Sequence, residues 1–133
     1  MLVWNESYRV HIQVIDEQHK QLFEAVHRFS EAVQRDDGAE GFADLLGFLI
    51  DYSKRHFETE EAYFISFGYD QAASHAQQHA AFIDIVQNYM RRFDNDQLIV
   101  AAEVLTFLEA WLVEHVTTSD QRYVACFREH GLA

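Results

Sequence analysis

Residues 42–67, FADLLGFLIDYSKRHFETEEAYFISF, set Phe42, Leu45, Leu46, Leu49, Phe57, Phe64 and Phe67 on one face of a continuous α-helix. The run is too long for a strand and contains no proline, so it predicts a single long amphipathic helix, closed by Gly68. Upstream, Leu22, Phe23, Val26, Phe29 and Val33 repeat every three or four residues behind a candidate N-cap, Asp16. That places a first helix at 17–36, separated from the second by Asp36, Asp37, Gly38 and Gly41. Downstream, Phe82, Val86, Met90 and Phe93 mark a third helix, Asp94, Asn95 and Asp96 a turn with the next N-cap, and Val104, Leu108, Trp111 and Leu112 a fourth helix. Thr117, Thr118 and Ser119 interrupt that pattern before a short final segment with Tyr123, Val124 and Phe127. Residues 1–15 alternate loosely through Tyr8, Val10, Ile12 and Val14 and predict an extended arm. Four amphipathic helices joined by short turns bury their stripes most simply as an all-α, antiparallel up-down-up-down four-helix bundle. The expected organisation is one domain over 1–133, with the arm at 1–15, the bundle at 16–129 and a short C-terminal helix.

Composition narrows the function. Ten Lys and Arg against twenty-two Asp and Glu give a formal charge of −12, which repels polyanions and argues against nucleic acid or an acidic membrane as partner. No apolar stretch approaches a membrane span, and the N-terminus lacks the basic start and apolar run of a secretion signal. A single cysteine, Cys126, excludes an internal disulfide and any cysteine-built zinc or iron–sulfur site, so a soluble, cytoplasmic protein is expected. Eight histidines in 133 residues carry the functional question.

Residues four apart lie about 40° from each other on a helix and project from one face. His56 and Glu60 share the apolar face of the second helix, and His75 and His79 are in phase with Phe82 and Val86 on the third. His19 lies with Leu22, Phe23 and Val26 on the first helix, and His115 one turn beyond Trp111 and Leu112 on the fourth. A lone inward histidine is ordinarily a satisfied core residue. Five imidazoles and a carboxylate in one small core would strand many polar groups, each costing about 1–3 kcal/mol if unpaired, and metal ions remove that cost. Six ligands exceed one tetrahedral zinc and suit a pair of five- or six-coordinate ions bridged by Glu60. Charge balance asks for a second carboxylate. Asp120, five residues past His115, falls about 140° away on a straight helix. It reads either as an N-cap of the last segment or as a ligand re-aimed by a π-type turn at Thr117–Ser119. His11, His27 and His130 read as surface residues, and Glu61, about 140° from His56, as a solvated side chain. Glu24 and His27 form the only Glu-x-x-His pair, against the two a ferritin-like site needs, and no zinc-protease helix motif, phosphate-binding glycine loop or Gly-x-Ser-x-Gly turn is present.

These residues bring a family into view. Trp4 and Tyr8, Ile15-Asp16-Glu17-Gln18-His19-Lys20, His56-Phe57-x-x-Glu60-Glu61, His75-x-x-x-His79 and Trp111-Leu112-x-x-His115-x-x-x-x-Asp120 resemble the single-domain bacterial hemerythrins from Trp4 to about Phe127. The resemblance implies two iron ions with an oxo or hydroxo bridge: His75, His79 and His115 on one iron, His19 and His56 on the other, Glu60 and Asp120 bridging. The chain departs from the common family pattern at Asp70, where proline is frequent, at Phe64, where methionine is common, and at His11, where glycine is usual.

What the resemblance implies functionally is reversible dioxygen binding at the iron with two histidines, which keeps a vacant position. Moving two electrons and the bridge proton together leaves the buried site's charge unchanged, so oxygen can leave again. Leu22, Phe23, Phe57, Trp111 and Leu112 are the expected apolar oxygen pocket. Two uses follow: a non-enzymatic oxygen store, carrier or delivery module, or a sensor or enzyme-like use of the same irons in nitric oxide or peroxide chemistry.

Overall fold

The computed structural model of the chain describes residues 2–35, 38–95 and 101–133. Four long helices dominate: α1 Gln13–Gln34, α2 Ala39–Phe67, α3 Ala72–Asp94 and α4 Ala101–Glu114. A π-helical turn, His115–Ser119, extends α4, followed by one α-turn, Asp120–Arg122, and the short α5, Val124–Glu129. Helix α1 packs on α2 and α4, and α2 on α3, giving the expected bundle. Among the described residues no helix is long and apolar enough to cross a membrane.

Several boundaries differ from the sequence reading. Helix α1 starts at Gln13 rather than beyond Asp16, and its N-cap is Ile12, which has no side chain to cap with. Asp16 is instead buried and folds back on the arm, accepting the backbone N–H groups of Val10 at 2.8 Å and His11 at 3.1 Å and facing Arg9 Nε at 3.4 Å. The arm is therefore not uniformly extended: Asn5 caps a 3₁₀ turn, Glu6–Tyr8, and the chain then crosses His11 in the left-handed region at φ 62°. Gly41 is no breaker but lies inside α2, which begins after an extended Gly38. Asp36, Asp37 and Asp96, expected as breakers and cap, lie outside the described residues. Gly68 does end α2, in a left-handed turn at φ 62° that lets Tyr69 N–H reach Phe64 O.

Two apolar clusters fill the interior. The larger joins α1 to α4 through Leu22, Phe23, Phe29, Leu46, Phe57, Phe82, Val86, Leu108 and Leu112. The smaller, of Val10, Ile12, Ile15, Phe64, Tyr69, Tyr123 and Phe127, closes one end of the bundle with the arm and α5. On α1 the clusters are separated at His19, and on α2 at His56 and Glu60, so a polar layer is held between two dry ones.

Candidate metal centre

All seven side chains singled out as ligands converge in this layer, each at least nine-tenths buried. Helix α1 supplies His19, α2 His56 and Glu60, α3 His75 and His79, and the end of α4 His115 and Asp120. They form two overlapping groups of potential donor atoms: Glu60, His75, His79, His115 and Asp120 in one, His19, His56, Glu60 and Asp120 in the other. Both carboxylates belong to both groups. Asp120 Oδ1 lies 3.0 Å from His75 Nε2 and 3.1 Å from His115 Nε2, while its Oδ2 lies 3.0 Å from His19 Nε2. Glu60 Oε1 lies between His56 Nε2, at 3.3 Å, and His79 Nε2, at 3.2 Å.

The π-turn explains how Asp120 arrives. Its backbone N–H bonds to His115 O, five residues back, and that wider winding returns both residues to one face. Thr117, whose hydroxyl bonds to Val113 O at 2.7 Å, sits in the widened turn.

The electrostatics are those of a compact charge cluster. Burial and the charge of Asp120 push the Glu60 carboxyl upward, yet His56 and His79 pull it below the usual carboxylate range. Burial likewise raises Asp120, but His115, His19 and His75 hold it well below its ordinary value. Tyr123, wholly buried, donates its hydroxyl to Glu60 Oε2. Burial first, and then the charges of Asp120 and Glu60, push that phenol well above its ordinary value, so it stays a donor. Outer partners orient the rings: His56 Nδ1 donates to Gln18 Oε1 at 2.7 Å and His115 Nδ1 to Gln78 Oε1 at 3.2 Å, with Ser119 Oγ bonded to the same Gln78 oxygen.

A metal pair fits this arrangement on its own chemistry. His19 Nδ1 and Nε2, Glu60 Oε1 and both Asp120 oxygens are buried without a hydrogen-bond partner, although their neighbours are themselves potential ligands. Four of those five atoms face the shared centre, where cations would satisfy them together.

A cavity of about 10 Å³, no larger than one water molecule, lies in the larger apolar cluster next to the ligand layer. Leu22, one turn after His19, and Ser53, one turn before His56, line it with Leu112 and with Phe57 and Trp111, which stack on His79 and His115, so it borders both halves of the layer. Phe23, expected in the oxygen pocket, does not line it. Its buried ring packs instead beneath the arm, on Trp4, centroids 5.2 Å apart, and Tyr8, 4.6 Å apart. Ser53, a buried hydroxyl with no hydrogen-bond partner, has no motif in the sequence to mark it. Glu61, read as solvated, is half-buried with its carboxylate 2.8 Å from His79 Nδ1. His27 faces Glu31, and His11 and His130 are exposed, all away from the centre.

Fold and site together define a four-helix bundle built around a buried histidine and carboxylate cluster in which two carboxylates are common to two ligand groups. The hemerythrin HHE cation binding domain matches residues 10–127, and the chain belongs to the hemerythrin family. It is 30% identical to a bacteriohemerythrin of Clostridium acetobutylicum, over 93% of this chain and 99% of that protein. It is 34% identical to a bacteriohemerythrin of Pseudomonas aeruginosa (96% and 82% covered) and 31% identical to myohemerythrin-1 of Phascolopsis gouldii (91% and 90%). A crystal structure of wild-type hemerythrin shares the fold at TM-score 0.87 and 24% identity, covering 95% of this chain and 97% of the other.

Proposed function

We propose that this chain binds dioxygen reversibly at a non-haem di-iron centre and serves as a non-enzymatic store, carrier or delivery module in the cytoplasm, a compartment its single unpaired cysteine suits. His75, His79 and His115 would hold one iron, His19 and His56 the other, with Glu60 and Asp120 shared. The observation that carries the reading is the uneven donor count, three imidazoles against two, around two shared carboxylates, with a small apolar cavity bordering the layer. A ferrous pair held there would supply the two electrons that reversible oxygen binding borrows and returns.

The chain's own residues do the rest. Leu22, Phe57, Trp111 and Leu112 keep the approach apolar and small, which favours a diatomic gas over water, since water needs two or more polar partners and Ser53 offers one. Trp111 stacks on His115 at 4.3 Å and so closes the cavity against the ligand layer. Tyr123 holds Glu60 by one oxygen and keeps the other turned to His56 and His79. Gln18 and Gln78 fix the Nδ1 protons of His56 and His115, which leaves each Nε2 lone pair aimed inward.

The test combines elemental analysis with oxygen cycling. Protein produced with iron should carry two irons per chain, change its absorption on exposure of the reduced form to oxygen, and return to the starting spectrum under argon. Zinc occupancy, or irreversible oxidation with turnover of peroxide or nitric oxide, overturns the carrier reading.

A further inference from the structure

We propose that Glu61 is a positioning residue that presents His79 to the metal on the three-histidine side, a role that rests on the di-iron reading above. Adjacent residues of α2 grip His79 at both ring nitrogens. Glu60 Oε1 lies 3.2 Å from Nε2, and Glu61 Oε2 lies 2.8 Å from Nδ1. Phe57, one turn before Glu61, stacks flat on the same imidazole, with centroids 3.8 Å apart and planes within 4°. The stack sets the plane of the ring, and the carboxylate sets its rotation within that plane.

An ionised carboxylate only accepts, so it holds the His79 proton on Nδ1 and leaves the Nε2 lone pair facing the centre. The neighbouring imidazoles are served differently. His56 and His115 donate to the neutral amides of Gln18 and Gln78, and His19 Nδ1 has no partner. A charged acceptor makes a stronger bond than an amide and a more electron-rich donor of the ring it holds. Glu61 therefore biases the three-histidine metal toward tighter binding than the shared carboxylates alone would give. Its side chain remains 37% exposed, at the rim of a surface cavity of about 190 Å³ that also meets Lys54 and Glu58. Solvent moderates its influence without cancelling a 2.8 Å bond to a buried ring.

The experiment compares the full chain with Glu61→Gln, Glu61→Ala and, as a control on the same cavity rim, Glu58→Gln. Zinc(II) is titrated against a competing chelator, and nitrogen-15 NMR of the zinc-loaded protein follows the His79 ring. Glu61→Ala should weaken one of two zinc equivalents about 10–100-fold and leave the other unchanged, with the slowly exchanging His79 Nδ1–H signal lost. Glu61→Gln should retain that signal, moved upfield, and fall between wild type and Glu61→Ala in affinity. Glu58→Gln should match wild type. If both Glu61 variants match wild type in affinity and in the His79 signal, the positioning role is overturned while the metal site stands. If the wild-type chain takes up no metal, the di-iron reading falls and this role with it.

Discussion

Stripping the metal should destabilise the protein far more than loss of an ordinary ligand. Four atoms facing the centre, His19 Nε2, Glu60 Oε1 and both Asp120 oxygens, are buried without a hydrogen-bond partner. At about 1–3 kcal/mol each the unmet demand is about 4–12 kcal/mol, comparable to the whole net stability of an ordinary domain. Imidazole–carboxylate approaches of 3.0–3.3 Å recover part of it, so the lower end, about 4 kcal/mol, is the working figure. For a chain of 133 residues, 1 kcal/mol moves the melting temperature by about 3–5 °C, which converts to a fall of about 12–20 °C. The assay is far-UV circular dichroism during heating, on the iron-loaded chain and on the same chain after reduction and exhaustive chelation. Loss of a cooperative transition in the stripped sample would express the same deficit more severely. A stripped chain that melts cooperatively within about 3 °C of the loaded one would refute the reasoning, because the orphaned atoms would then have found other partners.

Two further outcomes follow from single side chains. Leu112→Ala removes a buried side chain from the cavity wall, so unfolding in urea should lose about 2–5 kcal/mol, and the enlarged space should admit water and speed autoxidation of the oxygenated protein; an unchanged autoxidation rate removes Leu112 from the water-excluding role. His11 occupies the left-handed region at φ 62°, where a side chain costs about 1–2 kcal/mol, so His11→Gly should raise the urea midpoint by an amount worth about 0.5–1 kcal/mol once the looser unfolded chain is counted, and a lowered midpoint would show that the imidazole itself stabilises the arm.

Most of the ligand layer was legible because it obeys the same period as the core. His56 with Glu60 and His75 with His79 need only regular α-helix to face inward, and α2 and α3 run unbroken through them. Asp120 resisted that logic, since its spacing from His115 suits a wound-out turn, and only the resemblance to hemerythrins chose between ligand and cap. The arm departs from the pattern for a similar reason: an acidic residue ahead of an apolar repeat reads as an N-cap, whereas Asp16 spends both oxygens on N–H groups of the arm, behind its own helix start. Phe23 shares the stripe of Leu22, but adjacent residues diverge by about 100°, and the arm's Trp4 and Tyr8 claim the outer one. No period can reveal such a claim, because it comes from a segment with no period of its own.

The residues that orient the imidazoles follow a rule that no single helix displays. Gln18 of α1 holds His56 of α2, Glu61 of α2 holds His79 of α3, and Gln78 of α3 holds His115 at the end of α4. Each sits directly beside a residue of the ligand layer on its own helix, His19, Glu60 and His79 respectively, and reaches forward to the next helix in the chain. A neighbour lies about 100° around the helix from an inward residue, which aims it along the seam with the adjoining helix rather than to solvent. Judged against its own helix such a residue looks peripheral, which is why the angle between His56 and Glu61 suggested a solvated side chain. Judged against the bundle it is where one helix can steer its successor's ligand. Three of the five ring orientations are therefore set between helices, so packing of the bundle and preparation of the site for metal are coupled.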